Sequence, residues 1–248
     1  MTAMGTFVVA GAASDIGKAV ARLAAARGWT PALLDIDPRL DDFRRELEAE
    51  GIAARAFALD ITDEARVAEA ADEIAAAMPP VGALCGAAAT RDRDTPLTTE
   101  AIPAWRRTIE VNLVGAAILA AAFTPHLARA KGAAVFVASQ LAHVGQAQRS
   151  AYCASKAGLL GMVRALALEH AAAGVRFATV SPAGVETERL TWRFGTMEAA
   201  RAAMVESHPM GRLALPEEVA RAVLFLASGE ASYVTGTDLL VDGAFTAR

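Results

Sequence analysis

Seven short apolar runs alternate with longer segments whose apolar residues recur at helical spacing. That alternation constrains the fold of this 248-residue chain more than any other feature. The runs at 6–10, 32–35, 53–59, 81–87, 133–138, 175–180 and 238–241 read as strands. They are apolar throughout rather than alternating, as expected of strands covered by helices on both faces. Between them, 16–27, 40–50, 63–77, 99–127 and 151–172 read as helices; in the first, Ile16, Val20, Leu23 and Ala24 keep the helical period. Pro79 and Pro80 end the third helix, and Pro103 is expected to interrupt the fourth. Pro216 opens a last helix, where its missing N–H costs nothing. The stretch 181–212 reads as less regular. Repeated β–α units at this spacing predict one doubly wound α/β domain over 1–248, a seven-stranded parallel sheet flanked by helices and joined by right-handed crossovers.

Composition narrows the function classes. Apolar residues make up 54% of the chain and charged ones 21%, which excludes a disordered chain. The net charge of −4 offers no global reason to bind nucleic acid or anionic lipid. Two cysteines, Cys85 and Cys153, are too few for a disulfide scaffold or a Cys-based metal site. His126, His143, His170 and His208 are scattered without H-x-x-x-H spacing, so no metal is expected. No leader pattern opens the chain, and its longest apolar stretch, 116–124, is too short to cross a bilayer. The expectation is a cytoplasmic protein whose partner is a small molecule, not nucleic acid or membrane.

Gly11-Ala12-Ala13-Ser14-Asp15-Ile16-Gly17 lies between the first strand and the first helix. A dinucleotide-binding, Rossmann-type domain turns its chain under a pyrophosphate at that place. Gly11 suits the tight turn, Gly17 suits close packing, and the helix start with Ser14 and Ile16 presents free N–H groups to phosphate. Asp15 reads two ways: a carboxylate repels phosphate, but aspartate is also a favoured helix N-cap. The expectation here is the cap. Asp35 ends the second strand 18 residues beyond Gly17, where an acid accepts both ribose hydroxyls and repels a 2′-phosphate. With no arginine directly after it, the turn and the acid together predict NAD rather than NADP. Asp60 and Ile61 follow the third strand and are placed to meet the adenine.

Tyr152-Cys153-Ala154-Ser155-Lys156 is the sharpest signal, and Tyr152 is one of only two tyrosines. A tyrosine and a lysine at i and i+4 stand one helical turn apart on one face. The ammonium stabilises tyrosinate and lowers the phenol pKa, giving an acid/base usable near neutral pH. Ser139, directly after the fifth strand, can offer a hydroxyl to the same substrate oxygen.

With these pieces together the sequence resembles the short-chain dehydrogenase/reductase family over essentially its whole length. The matching residues are the glycine turn, Asp35, Asp60, Asn112 in Val-Asn-Leu-Val-Gly, Ser139, Tyr152 with Lys156, Pro182-Ala183-Gly184-Val185-Glu186-Thr187, and the tail from Tyr233 to Gly243. The resemblance implies a catalytic tetrad. Tyr152 is its acid/base and Ser139 orients the substrate oxygen. Lys156 holds the nicotinamide ribose, and Asn112 holds a water leading to solvent. Val185 and Thr187 then lie at the nicotinamide, with Thr187 meeting its carboxamide. Three departures stand out: Asp15 for a glycine and Ala10 for a threonine at the turn, Cys85-Gly86-Ala87-Ala88 for Asn-Asn-Ala-Gly, and Ala183 for a glycine. Gly86 is still expected to let backbone approach the adenosine ribose.

The implied function is hydride transfer between NAD(H) and a small secondary alcohol or ketone. The pocket is expected from 90–96, 140–149 and 184–212, which follow strand ends. Arg149 and Arg193 can reach an anionic substrate tail or else lie on the surface. Their placement, one three residues before the tyrosine and one in a Trp-Arg pair, resembles family members that oxidise hydroxyalkyl-thioether sulfonates. Gln140, His143 and Trp192 are further candidate contacts, Trp192 equally a lid anchor. Two alternatives are a 3-oxoacyl-carrier-protein reductase and a non-catalytic NAD-binding regulatory protein. The resemblance also implies a homodimer or homotetramer through helices 99–127 and 151–172, where Ala154, Gly158, Gly161, Ala165 and Leu168 face either a partner or the sheet.

Overall fold

Successive residues of the inner strands point to opposite faces, and both faces are covered, which is why those strands are apolar at every position. A computed structural model describes residues 4–90 and 95–247. The strands are β1 (Thr6–Ala10), β2 (Thr30–Asp35), β3 (Arg55–Ala58), β4 (Val81–Gly86), β5 (Ala133–Val137), β6 (Arg176–Pro182) and β7 (Thr237–Val241). They form one seven-stranded parallel sheet in the order β3-β2-β1-β4-β5-β6-β7. The helices are α1 (Asp15–Ala26), α2 (Leu40–Ala49), α3 (Glu64–Ala77), α4 (Ile102–Ile109), α5 (Gly115–Ala130), α6 (Ser150–His170), α7 (Glu188–Phe194), α8 (Met197–Met204) and α9 (Pro216–Ala227). Val8, Leu34, Leu84 and Phe136 pack on one face with Ile74, Phe123 and Leu159 of α3, α5 and α6. Phe7, Val9, Leu33 and Val135 pack on the other with Val20, Phe43 and Val223 of α1, α2 and α9. This is the single Rossmann-type α/β domain the alternation predicts. The two edge strands are partly exposed: β3 buries only Phe57, and β7 carries Leu240 at the surface.

The structure corrects three expectations. Pro103 does not interrupt a helix; it lies in the first turn of α4, where proline fits. The interruption comes later, as one π-helical turn at Glu110–Val114 that carries Asn112. The helical run Thr99–Ala130 passes through that turn and is long and apolar enough, by length and composition alone, to cross a membrane. The 116–124 estimate missed this because it counted an uninterrupted apolar run. Half of the run's most apolar window is buried, and Leu119, Phe123 and Leu127 belong to the core.

The third correction is at 181–212, which holds α7 and α8 rather than irregular chain. Each is too short for helical periodicity to stand out in sequence. Leu190, Ala200 and Leu213 form a small apolar cluster of their own beneath them. His208 pins this lid, its Nε2 accepting from Gly184 N at 3.0 Å while its Nδ1 lies 2.7 Å from Met204 O.

Candidate active site

The strand order reverses between β1 and β4, and the carboxyl ends of these two strands open a crevice. Gly11 turns there with φ +82°, and a Cβ on it would lie 2.5 Å from Ala88 N. A Cβ on Gly17 would collide with the backbone of Gly11 and Ala12. Both glycines are therefore demanded by close approach. Ser14, not Asp15, is the N-cap of α1: its Oγ accepts from Gly17 N at 3.1 Å and donates to Gly11 O at 2.7 Å. Asp15 is the first helical residue, and its Oδ2 accepts from Glu188 N at 2.7 Å, so the carboxylate turns to the lid.

A cleft of about 560 Å³ runs along this crevice, lined by Ser14, Asp15, Ile16, Asp35, Asp60, Ile61 and Thr187 among others. Asp35 accepts one N–H on each oxygen, from Ala13 at 2.9 Å and from Asp37 at 3.0 Å. Each oxygen keeps a lone pair for a ribose hydroxyl. Asp60 is fixed by Thr62 N at 2.9 Å, Thr62 Oγ1 at 2.8 Å and Arg107 Nη2 at 3.1 Å. Burial opposes its charge, but these donors hold its carboxyl below the usual range. The glycine cradle, the free N-terminus of α1 and the accepting acid at the far end fit a dinucleotide with an unphosphorylated ribose.

A second cavity of about 580 Å³ joins the first through Ile16, Ala87, Ala89, Thr187 and Arg189. Its walls include Ser139, Gln140, Arg149, Tyr152, Lys156, Val185 and Arg193. The spacing in α6 brings Lys156 Nζ to 5.7 Å from the Tyr152 ring centroid. The guanidinium carbons of Arg149 and Arg189 lie 4.5 and 5.2 Å from that centroid. Burial pushes the phenol up, but Lys156, Arg189, Arg149 and the Ser139 hydroxyl outweigh it and hold Tyr152 below the usual tyrosine value. Lys156 is itself buried, donates to Val137 O at 2.7 Å, and is held below the usual lysine value chiefly by burial. Asn112 braces the site: its Oδ1 accepts from Thr90 N at 2.9 Å and its Nδ2 donates to Ser155 Oγ at 3.1 Å. Ser155 Oγ in turn donates to Tyr152 O at 2.8 Å.

Other expected contacts lie elsewhere. His143 Nε2 is 2.7 Å from Asp238 Oδ2, and His143 does not line the cavity. Trp192 is half exposed and does not line it either, because it falls on the outer side of α7. Gly86 does not line the cleft; the space a Cβ would need is filled by the Phe136 ring. Gln140 is in place, with Oε1 buried and unpaired among the described residues. Of the expected 90–96 wall, 91–94 lie outside the described residues. Two residues were missed. Arg107 joins the cleft from a helix whose sequence carries no motif, and Arg189 joins the cavity from the unforeseen α7.

Comparison with known proteins agrees with this geometry. Residues 11–246 match the family described as enoyl-(acyl carrier protein) reductase. The cis-4-hydroxycyclohexanecarboxylate dehydrogenase of Sinomonas cyclohexanicum is 42% identical, over 97% of this chain and 96% of its own length. The NAD-dependent glycerol dehydrogenase of Listeria innocua is 33% identical, over 97% and 93%. A crystal structure of a short-chain dehydrogenase/reductase family oxidoreductase from Burkholderia thailandensis superposes with a TM-score of 0.89 at 31% identity, covering 98% of this chain and 93% of that one. With a dinucleotide cleft opening onto a cavity that holds a depressed tyrosine, the chain belongs to the short-chain dehydrogenase/reductase family and is an NAD-dependent oxidoreductase acting on a small alcohol or ketone.

Proposed function

We propose that this enzyme oxidises a small cyclic secondary alcohol carrying a carboxylate, with Tyr152 as general acid/base. The observation that carries the reading is the half-buried phenol, ringed by Lys156, Arg149 and Arg189, on the wall of the cavity that opens onto the cofactor cleft. In oxidation the tyrosinate of Tyr152 takes the hydroxyl proton; in reduction the phenol returns it to the carbonyl oxygen. Ser139 donates to the same oxygen, and Lys156 stabilises the tyrosinate and holds the nicotinamide ribose. Asn112 keeps α6 in register and has an N–H and a lone pair left for a water. NAD held by the residues below would supply the hydride acceptor for oxidation and, reduced, the hydride donor for the reverse reaction.

The residues proposed to hold the cofactor are Gly11, Ser14, Ile16 and Gly17 at the pyrophosphate, Asp35 at the adenosine ribose, Asp60 and Ile61 at the adenine, and Val185 and Thr187 at the nicotinamide. The carboxylate in the substrate follows from the arginines on the cavity wall and from the name of the Sinomonas relative. Asp35 disfavours the NADPH expected of a carrier-protein reductase. The reading places the enzyme in the cytoplasm, in keeping with free Cys85 and Cys153.

Assembly through α6 is part of the proposal. Ala154, Gly161, Ala165 and Leu168 are exposed on one side of that helix rather than facing the sheet, Leu168 at 83%. Such a stripe suits a homodimer, with the exposed edge of β7 available for a tetramer.

The test is NADH against NADPH binding by nicotinamide fluorescence, followed by turnover of cis-4-hydroxycyclohexanecarboxylate with NAD. NADH preference with turnover is the expected result. NADPH preference would replace this reading with the carrier-protein reductase, and binding without turnover of any alcohol would favour a regulatory protein.

A further inference from the structure

We infer that Arg189 grips the substrate's carboxylate and sets the preference for a hydroxy acid over a plain alcohol; this rests on the reading of the site above. Arg189 is half-buried on α7 and borders both the cofactor cleft and the substrate cavity. Its guanidinium carbon lies 5.2 Å from the Tyr152 ring centroid, so the cation stands beside the phenol on the wall of the substrate cavity.

Its pairing distinguishes it from its neighbours. Three carboxylates of the lid and its surroundings are already paired: Glu188 with Arg39 at 3.0 Å, Glu186 with Arg201 at 2.6 Å and Glu218 with Arg212 at 2.7 Å. Among the described residues, no carboxylate pairs with Arg189. A half-buried cation without a counter-ion is costly, and an arriving anion relieves that cost. The planar guanidinium also matches a carboxylate with two parallel hydrogen bonds.

Neither other arginine offers the same combination. Arg193 is exposed and lays its guanidinium over Phe194 at 5.0 Å. Arg149 belongs to the start of α6, on the same element as the phenol it faces. Of the two arginines that reach the cavity from α7, Arg189 is the half-buried one, so its grip also ties α7 to the bound substrate.

An electrostatic signature follows. Tyr152 is faced by Lys156 and Arg149 from α6, by Arg189 from α7 and by the Ser139 hydroxyl at the end of β5. A carboxylate on Arg189 cancels part of that positive field. With the hydroxy acid, the apparent pKa in kcat then lies above that in kcat/KM; with an uncharged alcohol the two agree.

The experiment compares wild type, Arg189→Met and Arg189→Lys on cis-4-hydroxycyclohexanecarboxylate and on cyclohexanol, above the phenol's titration. Cyclohexanecarboxylate, which cannot react, is titrated calorimetrically into each protein–NADH complex. Wild type is expected to prefer the hydroxy acid. In Arg189→Met the kcat/KM ratio of acid to cyclohexanol falls by about tenfold to a hundredfold, mainly through KM, and cyclohexanecarboxylate binding weakens in step. Arg189→Lys restores part of both. An unchanged ratio in Arg189→Met would place the anion on another residue and overturn the inference while leaving the reading of the site intact. NADH binding weakened tenfold with the ratio intact would put the guanidinium on the cofactor and overturn it too. A wild type indifferent between the two alcohols also overturns the inference, whereas one that oxidises neither overturns the reading beneath it.

Discussion

The carboxylate of Asp15 accepts the backbone N–H of Glu188 at 2.7 Å, joining the glycine turn to the lid helix across 173 residues of sequence. Arg39 strengthens the link from the other side of the cleft, bonding both oxygens of Glu188 at 3.0 Å. The lid over the substrate cavity is thus fastened to the cofactor half of the site. Asp15→Ala removes the acceptor at the first turn of α7 and is expected to lower Tm by about 2–4 °C. Asp15→Asn keeps an acceptor oxygen and should retain most of that stability. A thermal melt of the three proteins without ligand checks this, and equal melts for Ala and Asn would refute it.

Alcohol oxidation needs the tyrosinate of Tyr152, so kcat/KM for oxidation should rise with pH and level off below the ordinary tyrosine value. Ketone reduction needs the neutral phenol and should fall over the same range. Arg149→Gln removes one cation facing the ring, so the oxidation profile should move to higher pH. Tyr152→Phe should lose about a hundredfold or more in kcat while still binding NADH. A pH profile unmoved in Arg149→Gln would mean that the guanidinium does not act on the phenol.

Asp35 serves two ends at once, receiving Ala13 N in the turn while facing the cleft. Asp35→Ala should weaken NADH binding by about tenfold or more and narrow the discrimination against NADPH. Fluorescence titration with both nucleotides reads this directly; unchanged discrimination would assign selectivity elsewhere.

Gly11→Ala places a Cβ 2.5 Å from Ala88 N at a residue with φ +82°, so backbone must move in β1, in the segment after β4, or in both. The expected result is a loss of about 1–3 kcal/mol in denaturant unfolding, accompanied by weakened NADH binding.

Gly161 has open space around it on α6, so Gly161→Glu adds a better helix former without a clash inside the monomer. If the stripe from Ala154 to Leu168 is an interface, the variant should sediment as a smaller species with secondary structure unchanged. Identical sedimentation would remove this face from the assembly.

Much of the site was legible because its residues lie at strand ends or one helical turn apart. The glycine turn after β1, Asp35 at the end of β2 and the i, i+4 pair Tyr152 and Lys156 carry their geometry in their local spacing. His143 and Trp192 were not legible in the same way. Each sits in a plausible segment, but only packing decides which way it turns, and both turn from the cavity. Asp15 was misread because serine and aspartate are both good caps, and the choice depended on a partner far along the chain.

By itself the sequence determined the layered parallel sheet, the crevice at its reversal and the chemistry of Tyr152 with Lys156, since periodicity and short-range spacing are local properties of a chain. Only the tertiary structure decided the environment of that tyrosine. Arg189 comes from α7, a helix too short to announce itself, and it meets the Tyr152 ring only because β6 ends beside β5 and the lid folds back over the cavity. Electrostatic fields depend on distances in space, and those distances are set by how distant segments pack.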